Sequence, residues 1–154
     1  MSAWTQITVD MVEATVAAPL FDAIRSSATG VIDDRFNIIR DRVVARIRAT
    51  IESRPSNQVE TDPTLLPPEL VDCASWLIIE QMIAAMPQGA LELSDSQKQV
   101  IADQKELLGQ VRTGDYRVSR PLNPLAIPDV QANAAVQVTN ERARIFTRDL
   151  IAGL

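Results

Sequence analysis

The stretch 68-PELVDCASWLIIEQMIAAM-86 decides how the chain is read. Its apolar positions Leu70, Val71, Ala74, Leu77, Ile78, Met82 and Ala85 recur three or four residues apart, and Trp76, Ile79 and Ile83 carry the apolar surface nearly all the way round. A helix of that kind needs neighbours on several sides, so the pattern predicts the central helix of a bundle. Pro67 and Pro68 suit its first turn, and Pro87 with Gly89 ends it. The single cysteine, Cys73, falls inside this pattern and is expected to be inert packing. One cysteine makes no intrachain disulfide, and nothing calls for an oxidising compartment.

Upstream lies 31-VIDDRFNIIRDRVVARIRATIESR-54, where Ile32, Phe36, Ile39, Val43, Ile47 and Ile51 form one helical stripe. Asp33 and Asp34 near its start and Arg48 and Arg54 near its end suit the macrodipole, and Pro55 stops it. The connection 56-SNQVETDPTLLPP-68 reads as an exposed, stiff loop. Further upstream, Thr8 caps a short helix over VDMVEATVAA, and Pro19 interrupts it before LFDAIRSSA, which ends at Gly30. Downstream, Ser94 with Gln97 makes a capping box for 95-DSQKQVIADQKELLGQVRTG-114, whose Val100, Ile101, Leu107, Leu108 and Val111 form a narrower stripe. Gly114 is its terminator, and Tyr116 is placed to pack back over the helix end.

These periods predict an all-α protein, a helical bundle of about three long and two short helices. Few aromatics and abundant Ala, Ile, Leu and Val favour helix packing over a sandwich or barrel. From Pro121 the pattern breaks: PLNPLAIPDVQANAAVQVTN carries three prolines and no helical face. The chain is therefore divided into a helical domain, 1–118, and an extended C-terminal arm, 119–154. The arm ends in ERARIFTRDLIAGL, too apolar for a solvated tail, and Ile145, Phe146, Arg148, Leu150, Ile151 and Leu154 are the residues expected to dock on a neighbouring subunit or another protein.

The chain has no histidine, which removes a His general base and the usual zinc sites. No P-loop, GxGxxG or GxSxG motif is present. Asp33 with Asp34, and Asp72 with Glu80, are the nearest to paired carboxylates; first-turn charges and two-turn spacing explain them better than catalysis. No catalytic residue, metal or cofactor is expected. The start, MSAWTQITVD, has no basic segment leading an apolar run, and no apolar stretch reaches membrane-spanning length, so a soluble, reducing location without membrane is expected.

The net charge of −5 argues against a surface built wholly for nucleic acid. The charge is uneven, however. Arg35, Arg42 and Arg46, with Arg40 and Arg48 alongside, form a strip that could meet DNA phosphates or an acidic partner; the alternative is a solvated helix face balanced by Asp34, Asp41 and Glu52. Thr61 to Asp103 is acidic, so subunits could meet through opposite faces.

The order of elements, together with LLPPELVDCASWLIIEQMI, LLGQVRTGDYRV and RIFTRDLIAGL, resembles the head-to-tail connector (adaptor, or head-completion) proteins of tailed bacteriophages, including the Mu-like prophage group. In that family a helix opens with Pro and a Leu-x-x-x-Ala pattern, matched by Leu70 and Ala74. A later helix closes Leu-x-x-Val/Ile-x-x-Gly, matched by Leu108, Val111 and Gly114. The terminal arm carries Arg-x-Phe-Thr/Ser-Arg, matched by Arg144, Phe146, Thr147 and Arg148. The family's Arg-Tyr pair in the last core helix is absent here, with Gln104 and Lys105 in that neighbourhood. The resemblance implies a homo-oligomeric ring, usually of twelve subunits, beneath the portal protein. The next neck or tail-completion protein would dock on it, packaged DNA would pass through its lumen, and it would sit in the virion neck after synthesis in the host cytoplasm. The other class of function left open is a small cytoplasmic regulator that binds DNA or a partner through the Arg35 to Arg48 helix.

Overall fold

The computed structural model describes residues 3–16, 18–27, 32–86 and 91–126. Along them run β1 (Thr5–Gln6), α1 (Val9–Thr15), α2 (Ala18–Ser27), α3 (Ile32–Glu52), β2 (Leu65–Leu66), a 3-10 turn (Pro68–Leu70), α4 (Val71–Ala84) and α5 (Asp95–Thr113). The protein is all-α in its architecture, with three long helices and two short ones among the described residues.

The central position of α4 follows from its all-round apolar surface. Cys73, Ala74, Ser75, Leu77, Ile78, Ile79 and Met82 are buried, and the helix packs against α1, α3 and α5. From α3 the stripe Phe36, Ile39, Val43, Ile47 and Ile51 is buried, with Val44 added. From α5 only Ile101, Leu108 and Val111 are buried, as a narrow stripe requires. Phe21, Phe36, Ile47, Ile51 and Ile78 are among the largest wholly buried side chains, each worth about 1.5–3 kcal/mol of transfer free energy.

The helix ends are set locally. Thr8 Oγ1 accepts from Met11 N at 3.4 Å, and the Ser94–Gln97 capping box is complete in both directions. Gly114 closes α5 in the left-handed conformation (φ 87°), its N–H donating to Gln110 O at 2.8 Å. Tyr116 follows with its own N–H on the same carbonyl at 3.2 Å and its ring against the core.

Three details differ from the sequence expectation. Pro19 does not separate the first two helices: the chain turns at Val16, which is extended, and Pro19 occupies the first turn of α2, where its missing N–H costs nothing. Central helix α4 begins at Val71, because Pro68–Leu70 takes the tighter 3-10 form. The connection after α3 is not simply exposed. Val59, Glu60, Leu66 and Pro67 are buried, and β2 pairs antiparallel with β1, Thr5 opposite Leu66 and Gln6 opposite Leu65.

Residues 119–126 lie along this connection. Asn123 O accepts from Thr61 N at 2.9 Å, Leu125 N donates to Val59 O at 2.7 Å, and the Glu60 carboxylate accepts from Asn123 N at 3.2 Å. Trp4 Nε1 donates to Ser119 O at 3.2 Å, and Pro121 is buried. This strap ties both ends of the described chain to the same loop.

Candidate functional site

The arginines of α3 divide into two kinds. Arg48 points inward and is 7% exposed. Its guanidinium donates to the backbone carbonyls of Asp62 (2.8 Å), Leu65 (2.9 Å) and Glu60, and its Cζ lies 5.8 Å from the centroid of the Trp4 ring. Burial lowers its pKa from the usual arginine value, opposed by the nearby carboxylates of Glu52, Asp62 and Glu60. A planar fork with five donors is the side chain that can collect several carbonyls at once. Arg48 is therefore the hub of the loop, and neither a member of an outward strip nor a macrodipole charge.

Arg35, Arg42 and Arg46 are exposed. Among the described residues, one of the balancing contacts expected on this face forms: Arg40 holds Asp41 at 2.8 Å. Arg35, Arg42 and Arg46 make no ion pair among the described residues, and the outward strip consists of these three cations. The structure then adds neighbours that spacing along one helix does not reveal. Arg46 and Thr50 share a groove of about 210 Å³ with Lys105, Gly109 and Arg112 of α5. Lys105 Nζ reaches across to Glu80 Oε1 of α4 at 2.7 Å, while Arg112 has no ion pair among the described residues. At Gly109 a Cβ would meet nothing within 4 Å, so the groove floor is open.

A second, deeper cleft of about 380 Å³ forms where the ends of α3 and α5 meet. It is lined by Arg54, Asn57, Tyr116, Arg117, Ser119 and Arg120 among others, and the Ser119 hydroxyl donates to the Glu69 carboxylate at 3.0 Å. Local geometry builds it. Asn57 is turned in by its amide donating to Ile51 O at 3.3 Å, and the left-handed Gly114 swings Tyr116 and Arg117 round the end of α5. The Arg54 guanidinium lies against Gly114 where any Cβ would overlap it. Asp115, the nearest acid in sequence, is taken by Thr113, whose hydroxyl donates to it at 2.6 Å. Arg54, Arg117 and Arg120 make no ion pair among the described residues. Arginine side chains are suited to carboxylate or phosphate oxygens, and one carboxylate, that of Glu69, already stands at Ser119.

The other residues singled out by sequence fall elsewhere. Asp72 and Glu80 make no carboxylate pair, since Glu80 is bound to Lys105 and Asp72 faces solvent. The side chains of Asp33 and Asp34 lie outside the described residues, as do Ile145, Phe146, Arg148, Leu150, Ile151 and Leu154. Cys73 is buried, its Sγ donating to Gln104 O at 3.5 Å, and burial pushes its thiol pKa up to about 12, so it has no thiolate at neutral pH. Among the described residues no three acidic or thiol groups are placed to hold a metal ion, and no helix is long and apolar enough to cross a membrane.

Sequence reasoning missed Arg54, Lys105, Arg112, Arg117 and Arg120 as site residues. A signal existed for two of them, because Lys105 and Arg112 stand seven residues apart and share a face of α5. Compared with protein-family models, with curated proteins and with solved structures, the chain finds no match. Fold and site together define a small helical protein with two cationic grooves.

Proposed function

We propose that this chain is a non-enzymatic structural adaptor: a subunit of a ring beneath the portal of a tailed phage or phage-like particle, joining the capsid to the neck or tail and letting DNA pass. The observation that carries the reading is the way the domain hands over to its C-terminal residues. Hydrogen bonds on Val59, Glu60 and Thr61 hold the strap, yet Leu122 and Leu125 on it are 52% and 48% exposed. These apolar side chains stand just before residues 127–154, which include the Ile145, Phe146, Leu150, Ile151 and Leu154 cluster. An apolar exit followed by an apolar segment fits a chain whose far end is covered by a neighbouring copy or by portal. An all-α bundle agrees with the connector resemblance.

The test is mass photometry of the purified full-length protein alone and with the particle's portal. Rings of about twelve subunits, or monomers that assemble only on portal, are expected, twelve being the number implied by the resemblance. A chain truncated after Pro128 keeps the strap and is expected to fold but to be excluded from the assembly. A truncated chain that assembles normally would sink the reading.

A second reading has an observation of its own. Arg35, Arg42 and Arg46 are exposed and make no ion pair among the described residues, which suits a cytoplasmic regulator that binds duplex DNA. Such a protein would hold DNA with a steep salt dependence and ignore portal. Reversal of Arg42 and Arg46 to Glu separates the two: the regulator loses DNA, and the adaptor has little to lose.

A further inference from the structure

A third groove, about 490 Å³ and open to solvent, lies where α1 packs on α4 beside α5. Its walls include Met11 and Ala14 of α1, Val71, Asp72 and Trp76 of α4, and Gln104 of α5. Trp76 packs against the core and is still partly exposed, as are Met11 and Val71. The cause is length: α1 has seven residues against fourteen in α4, so it covers only part of that side. The polar groups of the groove are also unmet. Asp72 is exposed and makes no hydrogen bond or ion pair among the described residues, and neither the Trp76 indole N–H nor the Gln104 side-chain amide has a partner there. Thr15 is the exception, its hydroxyl donating to Met11 O at 2.8 Å. No basic residue lines the groove, and Lys105, next to Gln104, is bound to Glu80. Helix α1 itself carries Asp10 and Glu13 and no cation.

Apolar side chains around an indole and a free carboxylate suit an occupant that is itself apolar and cationic. A guanidinium meets a carboxylate through paired N–H donors and an aromatic face through its own plane. Outside the described residues the chain contains one segment of that chemistry, 142-RARIFTR-148, with three arginines, Ile145 and Phe146 and no acid. Residues 127–141 join it to the strap and, at about 3.3 Å per residue, span up to about 50 Å. A domain of this size has a radius of gyration of about 14 Å, so the segment of one copy reaches the surface of the next.

We infer that the groove between α1, α4 and α5 receives residues 142–148 of a second copy of the chain, whose apolar side chains cover Met11, Val71 and Trp76 while an arginine meets Asp72. The inference rests on the adaptor reading, in which another subunit covers the C-terminal residues, and it names the surface that does so. Each copy carries one groove and one segment, so the contact is head-to-tail and passes from copy to copy, closing into a ring when the rotation between copies allows it. Apolar cover supplies affinity and the Asp72 pair supplies register, so salt weakens the contact without abolishing it.

Full-length protein with Phe146→p-benzoylphenylalanine tests it, isotope-labelled and unlabelled copies being mixed, irradiated alone and on portal, and their crosslinks mapped by mass spectrometry. Crosslinks that join a labelled to an unlabelled copy and fall on residues 11–15 or 71–76 are expected. A second variant, Ala14→Trp with Asp72→Lys, fills the groove and reverses its charge at two exposed positions. Analytical ultracentrifugation should find its self-association weakened on the order of tenfold or more. Self-association of that variant at wild-type strength overturns the groove. Rings on portal whose crosslinks fall on portal, or elsewhere on the helical domain, overturn the groove and leave the adaptor reading standing. Crosslinks confined to single copies overturn the inference too, since each chain then fills its own groove. Crosslinks between copies at the groove, in a protein that builds no ring on portal, keep the groove and sink the adaptor. Wild-type chain that stays monomeric alone and with portal overturns both.

Discussion

Arg48 and the cleft formed by Arg54, Arg117 and Arg120 present the same functional group in opposite states. Around Arg48 three backbone carbonyls accept from the guanidinium and the Trp4 ring lies beside it. In the cleft, Arg54, Arg117 and Arg120 line the wall with Asn57, Ser119 and Tyr116 and make no ion pair among the described residues. The difference teaches how to separate an arginine that holds the fold from one that does not. What matters is whether backbone oxygens have been turned toward it. A loop that folds round a guanidinium has spent its carbonyls there, and removing the cation strands them; a cleft with none turned inward loses little stability when its cations go.

The sharpest break of this contrast is Arg48→Ala. It strands the carbonyls of Glu60, Asp62 and Leu65 in a partly buried loop, and a loss of about 2–4 kcal/mol in unfolding free energy is expected from urea denaturation. Arg48→Lys keeps the charge but not the fork and should cost less, about 1–3 kcal/mol. Arg46→Ala, two residues away and exposed, should stay within about 0.5 kcal/mol of wild type. Equal effects at 46 and 48 would erase the distinction.

Gly114→Ala comes next. The residue has φ 87°, and an added methyl would also displace Arg54, so a loss of about 1–3 kcal/mol is expected, with the cleft disturbed at the same time. Gly109→Ala should go the other way. Its Cβ meets nothing within 4 Å, and a mid-helix glycine replaced by alanine gains about 0.5–1 kcal/mol, measurable as a raised Tm. If that stabilised chain assembles less well, the open floor of the α3–α5 groove is occupied in the assembly.

The smallest effect concerns Asp62, whose neighbour Thr64 donates to its carboxylate through both backbone N–H and hydroxyl. Those bonds hold its pKa below the ordinary value of 3.8. A depressed carboxylate pKa contributes stability above the unfolded value, and the contribution is lost as pH falls through the folded one. Asp62→Asn should therefore destabilise slightly at neutral pH, and the gap to wild type should close below about pH 3.8, as chemical denaturation across that range would show.

Much of the helical scaffold was legible in the sequence because its determinants are local. The stripe Phe36, Ile39, Val43, Ile47, Ile51, the capping box at Ser94 and Gln97, and Gly114 each act within a few residues of themselves. What escaped depends on distance along the chain. Thr5–Gln6 and Leu65–Leu66 are too short to show alternation, and only their meeting across the fold makes them strands. Arg46 and Arg48 look alike as letters; a rotation of about 200° round the helix axis separates them, and where a loop will close over one of them is not written in spacing. The cleft escaped for the same reason, since Arg54 and Asn57 come from one end of it and Arg117, Ser119 and Arg120 from a segment some sixty residues later.

The strap over Val59–Thr61 has a mechanical consequence. A pull on the chain beyond residue 126 reaches the Leu125 N to Val59 O bond first, then the contacts of Asn123 with Glu60 and Thr61, and last the Trp4 to Ser119 bond. The load peels these bonds in sequence instead of sharing it among them, so each gives way under a small force. Helices α3, α4 and α5 lie behind that zipper, so tension entering from the C-terminal side parts the strap before it loads the end of α5.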